Sequence, residues 1–383
     1  MNRRAFLRTV GGTGIIFAAS AVGLTQCDQM PKEAISAWQG PNNQLEDREW
    51  ILSHALLAPN PHNMQAWVAD LTEDNAITLF VDGTRLLPDT DPYARQIIIG
   101  QGTFLELLSI AARERGFDAN ISLFHEGEPA TDQLDVSKKP IAHIKLTPTA
   151  YSKDQLFSQI RLRRSNKQGY LPKTLEKSHH ETLSSMELVS GQKLGFALGE
   201  LQVDPYRKIA AEAMLLEMNT PRTLRESVIR TRIGADEIAK HRDGIDLHGP
   251  MFYWLKKFGA MDEKQAMTPG TMAHQGGIDY ALGWAKDTYN MGWLITESNS
   301  RSEQVNAGRS YVRLNLLATK LGVSIHPVSQ VLQEYPEMTE LQKTFNQNVG
   351  VKNQQRVQMF FRIGYQDQAA PSPRRRLADI VKA

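Results

Sequence analysis

The apolar positions of the chain follow two periods, one helical and one strand-like, in successive segments. In the first part they predict helices over residues 45–57 and 97–117 and strands over 77–81, 121–124 and 142–146. In the second part they predict helices over 154–163, 173–186, 205–218, 221–233 and 302–321, and strands over 193–198, 292–296 and 357–363. Because both parts mix helices and strands, we expect an α+β fold.

Two stretches interrupt this pattern. Residues 29–43 form a polar segment and are expected to be a linker. Residues 234–290 combine methionines and aromatic residues with many glycines, and turn-forming pairs at Pro269-Gly270 and Gly276-Gly277 divide them. We expect an irregular insertion there, which either covers a site as a lid or joins the core.

The two long predicted helices end in a similar way. Residues 112–117 and 318–323 each contain an alanine and then a glycine before an apolar residue. Either an internal duplication or ordinary helix-stop chemistry accounts for this similarity.

Composition limits the classes of function. The chain has 383 residues, of which 41% are hydrophobic, so it can bury one large core or two ordinary ones. Its formal net charge is +2, and without the three arginines of the first 26 residues the remainder carries −1. This nearly balanced charge argues against a nucleic-acid binder.

The N-terminus has the order of an export signal. Arg3 and Arg4 precede Phe6-Leu7, and an uncharged, largely apolar run follows to residue 26. Adjacent arginines in this context match the twin-arginine (Tat) pattern, although a basic start before a membrane anchor is the alternative. Tat signals usually direct export of folded proteins that carry a cofactor. We therefore expect residues 1–27 to be a signal segment recognised by the Tat machinery and the protein to be periplasmic or in the cell envelope.

The single cysteine, Cys27, stands where the apolar run ends. This position resembles a lipoprotein processing site, but Gln26 replaces the usual small residue, so lipidation and a free thiol in the signal both remain open. One cysteine permits no intramolecular disulfide. Stability must then come from packing.

Two segments a hundred residues apart suggest one site. Arg163, Ser165 and Lys167 supply a guanidinium, a hydroxyl and an ammonium group, which together can bind a phosphate. In residues 58–67, the amides of Asn60 and Asn63 suit the mixed donor and acceptor edge of an isoalloxazine ring. Taken alone, the basic run is equally well a solvated surface and the second segment a helix-ending turn.

Three consecutive arginines near the C-terminus extend this set. They follow the last predicted strand and can bring further positive charge to the same anion, or they belong to an exposed tail. These residues are Arg374, Arg375 and Arg376.

These segments together resemble the flavin-binding signatures of the nitroreductase superfamily. In that family an Arg-x-Ser-x-Arg/Lys motif holds the FMN phosphate, a Pro-Ser-x-x-Asn-x-Gln-Pro-Trp loop reaches the flavin from the partner subunit, and C-terminal basic residues return to the phosphate. The matching residues are Arg163, Ser165 and Lys167 for the first, Pro59, Asn60, Asn63, Gln65 and Trp67 for the second, and Arg374, Arg375 and Arg376 for the third. The chain departs from the family at Asn60-Pro61 and at Ala66.

A further stretch, residues 321–330, resembles the family loop whose backbone amides lie near the flavin N5 edge. The corresponding residues are Pro327, Val328, Ser329 and Gln330. An ordinary helix-to-strand connection is the alternative for this stretch.

The order of the motifs implies a fused architecture. Family members place the phosphate motif first, whereas this chain places the Pro/Asn loop first and contains one copy of each. The resemblance, closest to the Acg-type branch, implies a nitroreductase-like pseudo-dimer with antiparallel-rich sheets flanked by helices and one FMN per chain. We expect a signal at 1–27, halves at 28–150 and 151–383, a lid at 234–290, and a monomer.

Other signatures are incomplete. Gly100-Gln101-Gly102 lacks the third glycine of a dinucleotide motif, and no Walker or Gly-x-Ser-x-Gly motif occurs in the sequence. His180-Glu181 lacks the second histidine of a zinc helix, so we expect no metal site.

The resemblance implies an FMN-dependent oxidoreductase. FMN would accept two electrons from a small donor and pass them to a small nitro- or quinone-like acceptor by a ping-pong route, with no catalytic side chain required. Because nicotinamide donors are not expected outside the cytoplasm, a quinone, a thiol or a protein is an alternative donor. Two other functions remain: a flavin-sequestering protein with little turnover, and a structural lipoprotein without cofactor.

Overall fold

The computed structural model describes residues 28–189, 191–352 and 354–382. The predicted signal segment and Cys27 lie outside these residues. No helix among the described residues is long and apolar enough to cross a membrane.

A five-stranded sheet organises the first part of the chain. Its strand order is β11-β1-β2-β4-β3, and all pairs are antiparallel except β1 with β11. The strands are β1 (Trp67–Asp70), β2 (Ala76–Val81), β3 (Phe117–Leu123), β4 (Ala142–Pro148) and β11 (Val381–Lys382). In β2, Ile77, Leu79 and Val81 are buried and alternate with partly exposed residues, as expected of a sheet with one face on the core. The C-terminal strand therefore completes a sheet built from the first part of the chain.

A four-stranded antiparallel sheet organises the second part, in the order β5-β8-β10-β9. Its strands are β5 (Lys193–Leu198), β8 (Asn290–Thr296), β9 (Ser324–Pro327) and β10 (Arg356–Gly364). Every residue of β8 is buried, because this inner strand is covered on both faces. A small parallel pair is formed by β6 (Thr231–Ile233) and β7 (Ile245–Leu247).

Helices flank both sheets. They are α1 (Asp47–Ala55), α2 (Arg95–Glu114), α3 (Lys177–Ser184), α4 (Glu200–Asn219), α5 (Pro221–Ile229), α6 (Ala235–His241), α7 (Pro250–Lys257), α8 (Glu263–Met267), α9 (Met272–Leu282), α10 (Arg301–Lys320) and α11 (Thr339–Val349). Side chains cap several of them: the Glu46 carboxylate accepts from backbone amides at the start of α1, and the Ser300 hydroxyl does so at the start of α10. The predicted α+β fold, with antiparallel-rich sheets flanked by helices, is confirmed.

The long helices α2 and α10, each of 20 residues, pack directly against each other. Glycines allow this close approach. A Cβ at Gly102 would lie 1.9 Å from the Val305 carbonyl oxygen, and one at Gly308 would lie 2.0 Å from the Ile99 carbonyl oxygen. Two ion pairs join the same helices, because Arg309 and Arg313 each donate to the Glu106 carboxylate at 2.7 Å. The two parts of the chain thus meet along one tightly packed seam.

Four predictions about local structure are wrong. The helix predicted over 221–233 ends at Ile229, because residues 231–233 form β6. Residues 154–163 hold only a short 3-10 helix, Phe157–Gln159, because the Asp154 carboxylate and successive tight turns hold the segment instead of a continuous helix. The segment 234–290 contains four helices and β7, since Asp262 and Thr271 cap short helices between the turn-forming glycines. The polar stretch at 29–43 is no open linker, because its two 3-10 helices bury Ala34 and Trp38.

The seam between α2 and α10 yields a stability prediction. Gly102→Ala is expected to lower the free energy of unfolding by about 2–4 kcal/mol, because backbone must move to admit the methyl group. Chemical denaturation followed by circular dichroism measures this change. Gly276→Ala in α9 is the control, since its added Cβ would meet no heavy atom of the described residues within 4 Å beyond its chain neighbours and the backbone of its own helix. Equal decreases in the free energy of unfolding for the two substitutions would contradict the close packing of α2 against α10.

Candidate functional site

Arg163 connects the two segments that the sequence pairs. Its side chain is 1% exposed, and its Nη2 donates to the Leu57 carbonyl oxygen at 2.9 Å, just before the 58–67 loop. Its Nε and Nη1 are buried and have no hydrogen-bond partner among the described residues. Arg163 thus reaches the loop and keeps two donors for another acceptor.

Arg374 arrives at the same place from the C-terminal segment. Its Nη1 donates to the Asn63 side-chain oxygen at 2.9 Å, and its Nη2 donates to the Leu57 carbonyl oxygen at 3.3 Å. Its Nε has no hydrogen-bond partner among the described residues. Three segments that are far apart in the sequence therefore converge beside Leu57.

Trp38 is the common neighbour of three guanidinium groups. The guanidinium carbons of Arg163, Arg164 and Arg374 lie 5.8, 4.1 and 4.9 Å from the centre of its ring, within the range of cation–π contact. The indole Nε1 donates to the Ser372 carbonyl oxygen at 2.8 Å, which fixes the ring. We call Arg163, Arg164 and Arg374 the arginine cluster.

The arginine cluster is short of negative charge. Among the described residues, none of its members forms an ion pair with a carboxylate within 4.0 Å, and the charge of Asp246 only partly offsets that of Arg374. Burial lowers the pKa of Arg163 and of Arg164 to about 10. Burial, and then repulsion from Arg163 and Arg164, lowers the pKa of Arg374 well below its usual value. An anion bound here would relieve both the desolvation and the repulsion.

The cluster also borders open space. A cleft with a volume of ≈ 370 Å³ is lined by Arg242, by Arg374, Arg375 and Arg376, and by residues 36–37 and 39–41. Arg374 can therefore be approached from this cleft.

The other C-terminal arginines have different partners. Arg375 donates through its backbone N–H to the Gln65 side-chain oxygen at 2.8 Å and through Nη1 to the Gln65 carbonyl oxygen at 3.0 Å. Arg376 is exposed and pairs with Asp379 at 2.7 Å. Of the three predicted C-terminal residues, the structure brings only Arg374 into the cluster.

The amides of the 58–67 loop hydrogen-bond within the protein. Asn60 donates to the Ala58 carbonyl oxygen and accepts from the Gln65 backbone N–H, and Asn63 donates to the Pro373 carbonyl oxygen. Gln65 donates to the Arg242 carbonyl oxygen at 2.8 Å. The Pro59 carbonyl oxygen accepts from the Thr103 hydroxyl at 2.7 Å. These bonds hold a strained loop, since His62, Asn63 and Gln65 all have left-handed φ near +50°.

The 163–167 segment runs beside β9. Ser165 forms a parallel bridge with Ile325, and the Asn166 N–H donates to the Ile325 carbonyl oxygen at 3.1 Å. Lys167 is exposed, and its charge contributes to a lower pKa at both His62 and His326. Lys167 therefore lies near the 58–67 loop and β9, away from the ion pairs of the surface.

The 327–330 segment is tied to β10. The Val328 N–H donates to the Phe360 carbonyl oxygen at 2.9 Å, and the Ser329 hydroxyl donates to the same oxygen at 3.0 Å. Pro327 pairs with Phe361 at the end of β9. The sheet therefore already engages the Val328 N–H, one of the amides that the resemblance places near the flavin N5 edge. The Gln330 side chain instead turns toward Glu217.

A chain of polar side chains leads from the buried Glu217 through the partly buried Ser227 and His62 to the 58–67 loop. No sequence motif predicts it. The Ser227 hydroxyl lies 3.3 Å from Glu217 Oε1 and 3.2 Å from His62 Nε2, and Gln333 donates to Glu217 Oε2 at 2.8 Å. Burial raises the pKa of Glu217 to about 7. Burial, with the charges of Lys167 and Arg230, lowers the pKa of His62 to about 4. We call Glu217, Ser227 and His62 the buried polar chain.

Trp38 and Arg164 were also missed as members of the site. A single tryptophan in an otherwise polar stretch was the signal for Trp38, and Arg164 occupies a variable position of the motif. Among the described residues, no group of three or more His, Cys, Asp or Glu side chains is arranged to hold a metal ion.

No protein-family model matches the chain. An uncharacterized protein of Mycobacterium tuberculosis (strain ATCC 25618 / H37Rv) is 37% identical over 101 residues, which cover 24% of this chain and 29% of that protein. A protein of the same strain, provisionally named NAD(P)H nitroreductase acg, is 36% identical over 70 residues, which cover 18% of this chain and 21% of that protein. A third protein of this strain, also provisionally named an NAD(P)H nitroreductase, is 23% identical over 351 residues, which cover 89% of this chain and 93% of that protein. The matched part thus spans less than a third of the first two relatives.

Solved structures were matched as well. A nitroreductase-like family protein from Bacillus cereus is 14% identical, with a TM-score of 0.32, and the match covers 61% of this chain and 98% of that one. The FMN-dependent nitroreductase NfnB from Mycobacterium smegmatis, in complex with NADPH, is 14% identical, with a TM-score of 0.34. This match covers 59% of this chain and 96% of that one.

The raised pKa of Glu217 yields a prediction of pH-dependent stability. The folded state holds this proton up to a pH of about 7, against a usual pKa of 4.5, so stability falls as the pH rises from about 4.5 through 7. Glu217→Gln removes this dependence, and its free energy of unfolding relative to wild type should increase by about 2–3 kcal/mol between pH 5 and pH 8. Urea denaturation at both pH values measures it.

Glu212→Gln is the matched control, because Glu212 is an exposed glutamate on the same helix. It should leave the pH dependence as in wild type. If the free energies of unfolding of the two variants change alike between pH 5 and pH 8, the raised pKa does not belong to Glu217.

Proposed function

We propose that the chain is a member of the nitroreductase superfamily that binds one FMN and transfers two electrons from a reduced donor to a small acceptor. The observation that carries this proposal is the arginine cluster, because three guanidinium groups converge there from the segments that resemble the family's phosphate-binding motifs. The provisional names of two M. tuberculosis relatives, both NAD(P)H nitroreductases, support the same class of reaction.

The donors of the arginine cluster fit a phosphate. Arg163 Nε and Nη1, Arg164 Nε and Arg374 Nε are buried and have no partner among the described residues. Planar guanidinium donors match the oxygens of a phosphate in geometry and charge. We therefore assign the FMN phosphate to this cluster, with Ser165 and Lys167 further along the same segment.

The ring side of the cofactor is assigned to three segments. The 58–67 loop and the 327–330 segment would form its walls, and Lys167 would face it, since the charge of Lys167 acts on His62 in the loop and on His326 just before the 327–330 segment. When bound, FMN supplies the two-electron chemistry. The residues of the chain bind it, orient it and limit the access of water.

The 234–290 insertion is proposed to cover this site. It is attached to the 58–67 loop, because Gln65 donates to the Arg242 carbonyl oxygen and the Gly244 N–H donates to the Asn63 carbonyl oxygen. A covering insertion excludes bulk water and restricts the acceptor to small molecules of nitro or quinone type.

The proposal also covers export, the two halves of the chain and its oligomeric state. We propose an Acg-type exported protein with halves at 28–150 and 151–383, which functions as a monomer because one chain supplies both walls of the site. The N-terminal sequence supports Tat-dependent export and a site of action in the cell envelope. The electron donor would then be a quinol, a thiol or a protein where nicotinamide is absent.

Flavin content tests the phosphate assignment. The full chain purified from a flavin-replete host should be yellow and release FMN on denaturation. Arg163→Ala combined with Arg374→Ala should lose more than about nine-tenths of the flavin, because two charge-assisted contacts to the phosphate disappear. Absorbance at flavin wavelengths, normalised to protein, measures occupancy.

Arg376→Ala is the control, since Arg376 is exposed and pairs with Asp379. Circular dichroism verifies folding, and Arg164→Ala removes a less buried guanidinium if the double variant does not fold. Full flavin loading of the folded double variant would show that the phosphate lies elsewhere.

Anaerobic stopped-flow mixing tests turnover. Reduction of the flavin by NADPH or by a reduced quinol should bleach its absorbance, and a water-soluble benzoquinone should restore it, as a ping-pong route requires. If no donor bleaches the flavin, the protein sequesters flavin and is not an oxidoreductase.

A further inference from the structure

The buried polar chain joins three different elements. Glu217 lies on α4, Ser227 on α5, and His62 in the 58–67 loop. The hydroxyl of Ser227 is within hydrogen-bond distance of both other side chains, at 3.3 Å from Glu217 and 3.2 Å from His62. A hydroxyl placed between a carboxyl and an imidazole can accept a proton from one and donate its own to the other.

Glu217 is suited to hold a proton. It is 3% exposed, and its polar neighbours Gln330, Gln333 and Ser227 are all neutral. Among the described residues no cation pairs with it, so burial favours the protonated carboxyl near neutral pH. The titratable groups that face it are Glu226 on α5 and Tyr335, whose ring is covered by Arg222.

His62 is suited to pass a proton. Lys167 and Arg230 disfavour its charged form, so the imidazole stays neutral at neutral pH, with one nitrogen as acceptor and the other as donor. Its loop is a wall of the proposed flavin site, and Lys167 belongs to the predicted cofactor set. The buried polar chain therefore runs from Glu217, which holds a proton, to the ring side of the proposed flavin site.

We propose that Glu217, Ser227 and His62 deliver a proton to a quinone-type acceptor in the proposed flavin site. This inference rests on the proposed function, which supplies the reduced cofactor as hydride donor. Hydride transfer to the acceptor leaves an oxyanion that requires one proton. The Nδ1–H bond of His62 breaks as the O–H bond of the product forms, Nε2 takes the hydroxyl proton of Ser227, and Ser227 takes the proton of Glu217. The Glu217 carboxylate is then reprotonated from water.

Nuclear magnetic resonance of histidine-labelled full-length protein tests whether the three groups are coupled. The ring nitrogens of His62, assigned with His62→Gln, should titrate with a midpoint near pH 7 that reflects Glu217. This titration should disappear in Glu217→Gln and Ser227→Ala and return in Ser227→Thr, which restores a hydroxyl. Glu303→Gln is the control, because Glu303 is a partly buried glutamate that is not hydrogen-bonded to the buried polar chain. Persistence of the titration in Glu217→Gln would overturn the coupling.

Reoxidation of the reduced protein by a water-soluble benzoquinone tests delivery of the proton. Glu217→Gln and Ser227→Ala should slow this half-reaction by about a hundredfold and flatten its pH profile, as loss of general-acid assistance does. Ser227→Thr and Glu303→Gln should stay within about threefold of wild type, which is well below the loss expected for a missing proton donor.

The two proposals fail in different ways. A purified protein without flavin overturns the proposed function, and the relay then has no acceptor to serve. A flavin-loaded Glu217→Gln variant with wild-type reoxidation rates at every pH overturns the relay alone.

Discussion

Burial of three guanidinium groups around one indole, without a carboxylate partner among the described residues, is the constraint on which the site depends. Transfer of like charges from water into one place costs free energy, and the lowered pKa of Arg163, Arg164 and Arg374 expresses this cost. Cation–π contact with Trp38 offsets part of it. An anion with several oxygens would offset far more, so the arrangement that costs the fold free energy also favours a phosphate-bearing ligand. In this account, ligand binding and folding stability are linked at the arginine cluster.

The fold brings these charges together by joining two sheets along one seam. Gly102 and Gly308 let α2 and α10 approach until their backbones touch, which brings the 58–67 loop close to segments from the second part of the chain. The chain then crosses back at its C-terminus, where Arg374 binds Asn63 and β11 pairs with β1. Each wall of the site consequently comes from a different part of the chain. In the proposed pseudo-dimer, one chain would supply both walls of the site.

Much of this arrangement could be predicted from the sequence. Long amphipathic segments with a terminal glycine gave α2 and α10 within a few residues, because helical periodicity is a local signal. The motif resemblance pairs Arg163 with the 58–67 loop, and in the structure Arg163 donates to the Leu57 carbonyl oxygen just before that loop. The buried polar chain could not be predicted, because Glu217, Ser227 and His62 become neighbours only through tertiary packing. The exposed position of Arg376 likewise depends on its local pairing with Asp379, which the run of three arginines does not reveal.

Comparison of FMN with riboflavin is the most direct measurement of the central claim, that the arginine cluster binds a phosphate. The two ligands share the isoalloxazine ring and differ in the phosphate alone, so the ratio of their Kd values isolates the contribution of that group. Titration of flavin-free protein, followed by flavin fluorescence, should give a Kd for FMN at least about a hundredfold lower than for riboflavin, the equivalent of one to two charge-assisted hydrogen bonds. The ratio should fall toward one in Arg163→Ala and stay unchanged in Arg376→Ala. Equal affinities for FMN and riboflavin in the wild-type protein would contradict the account.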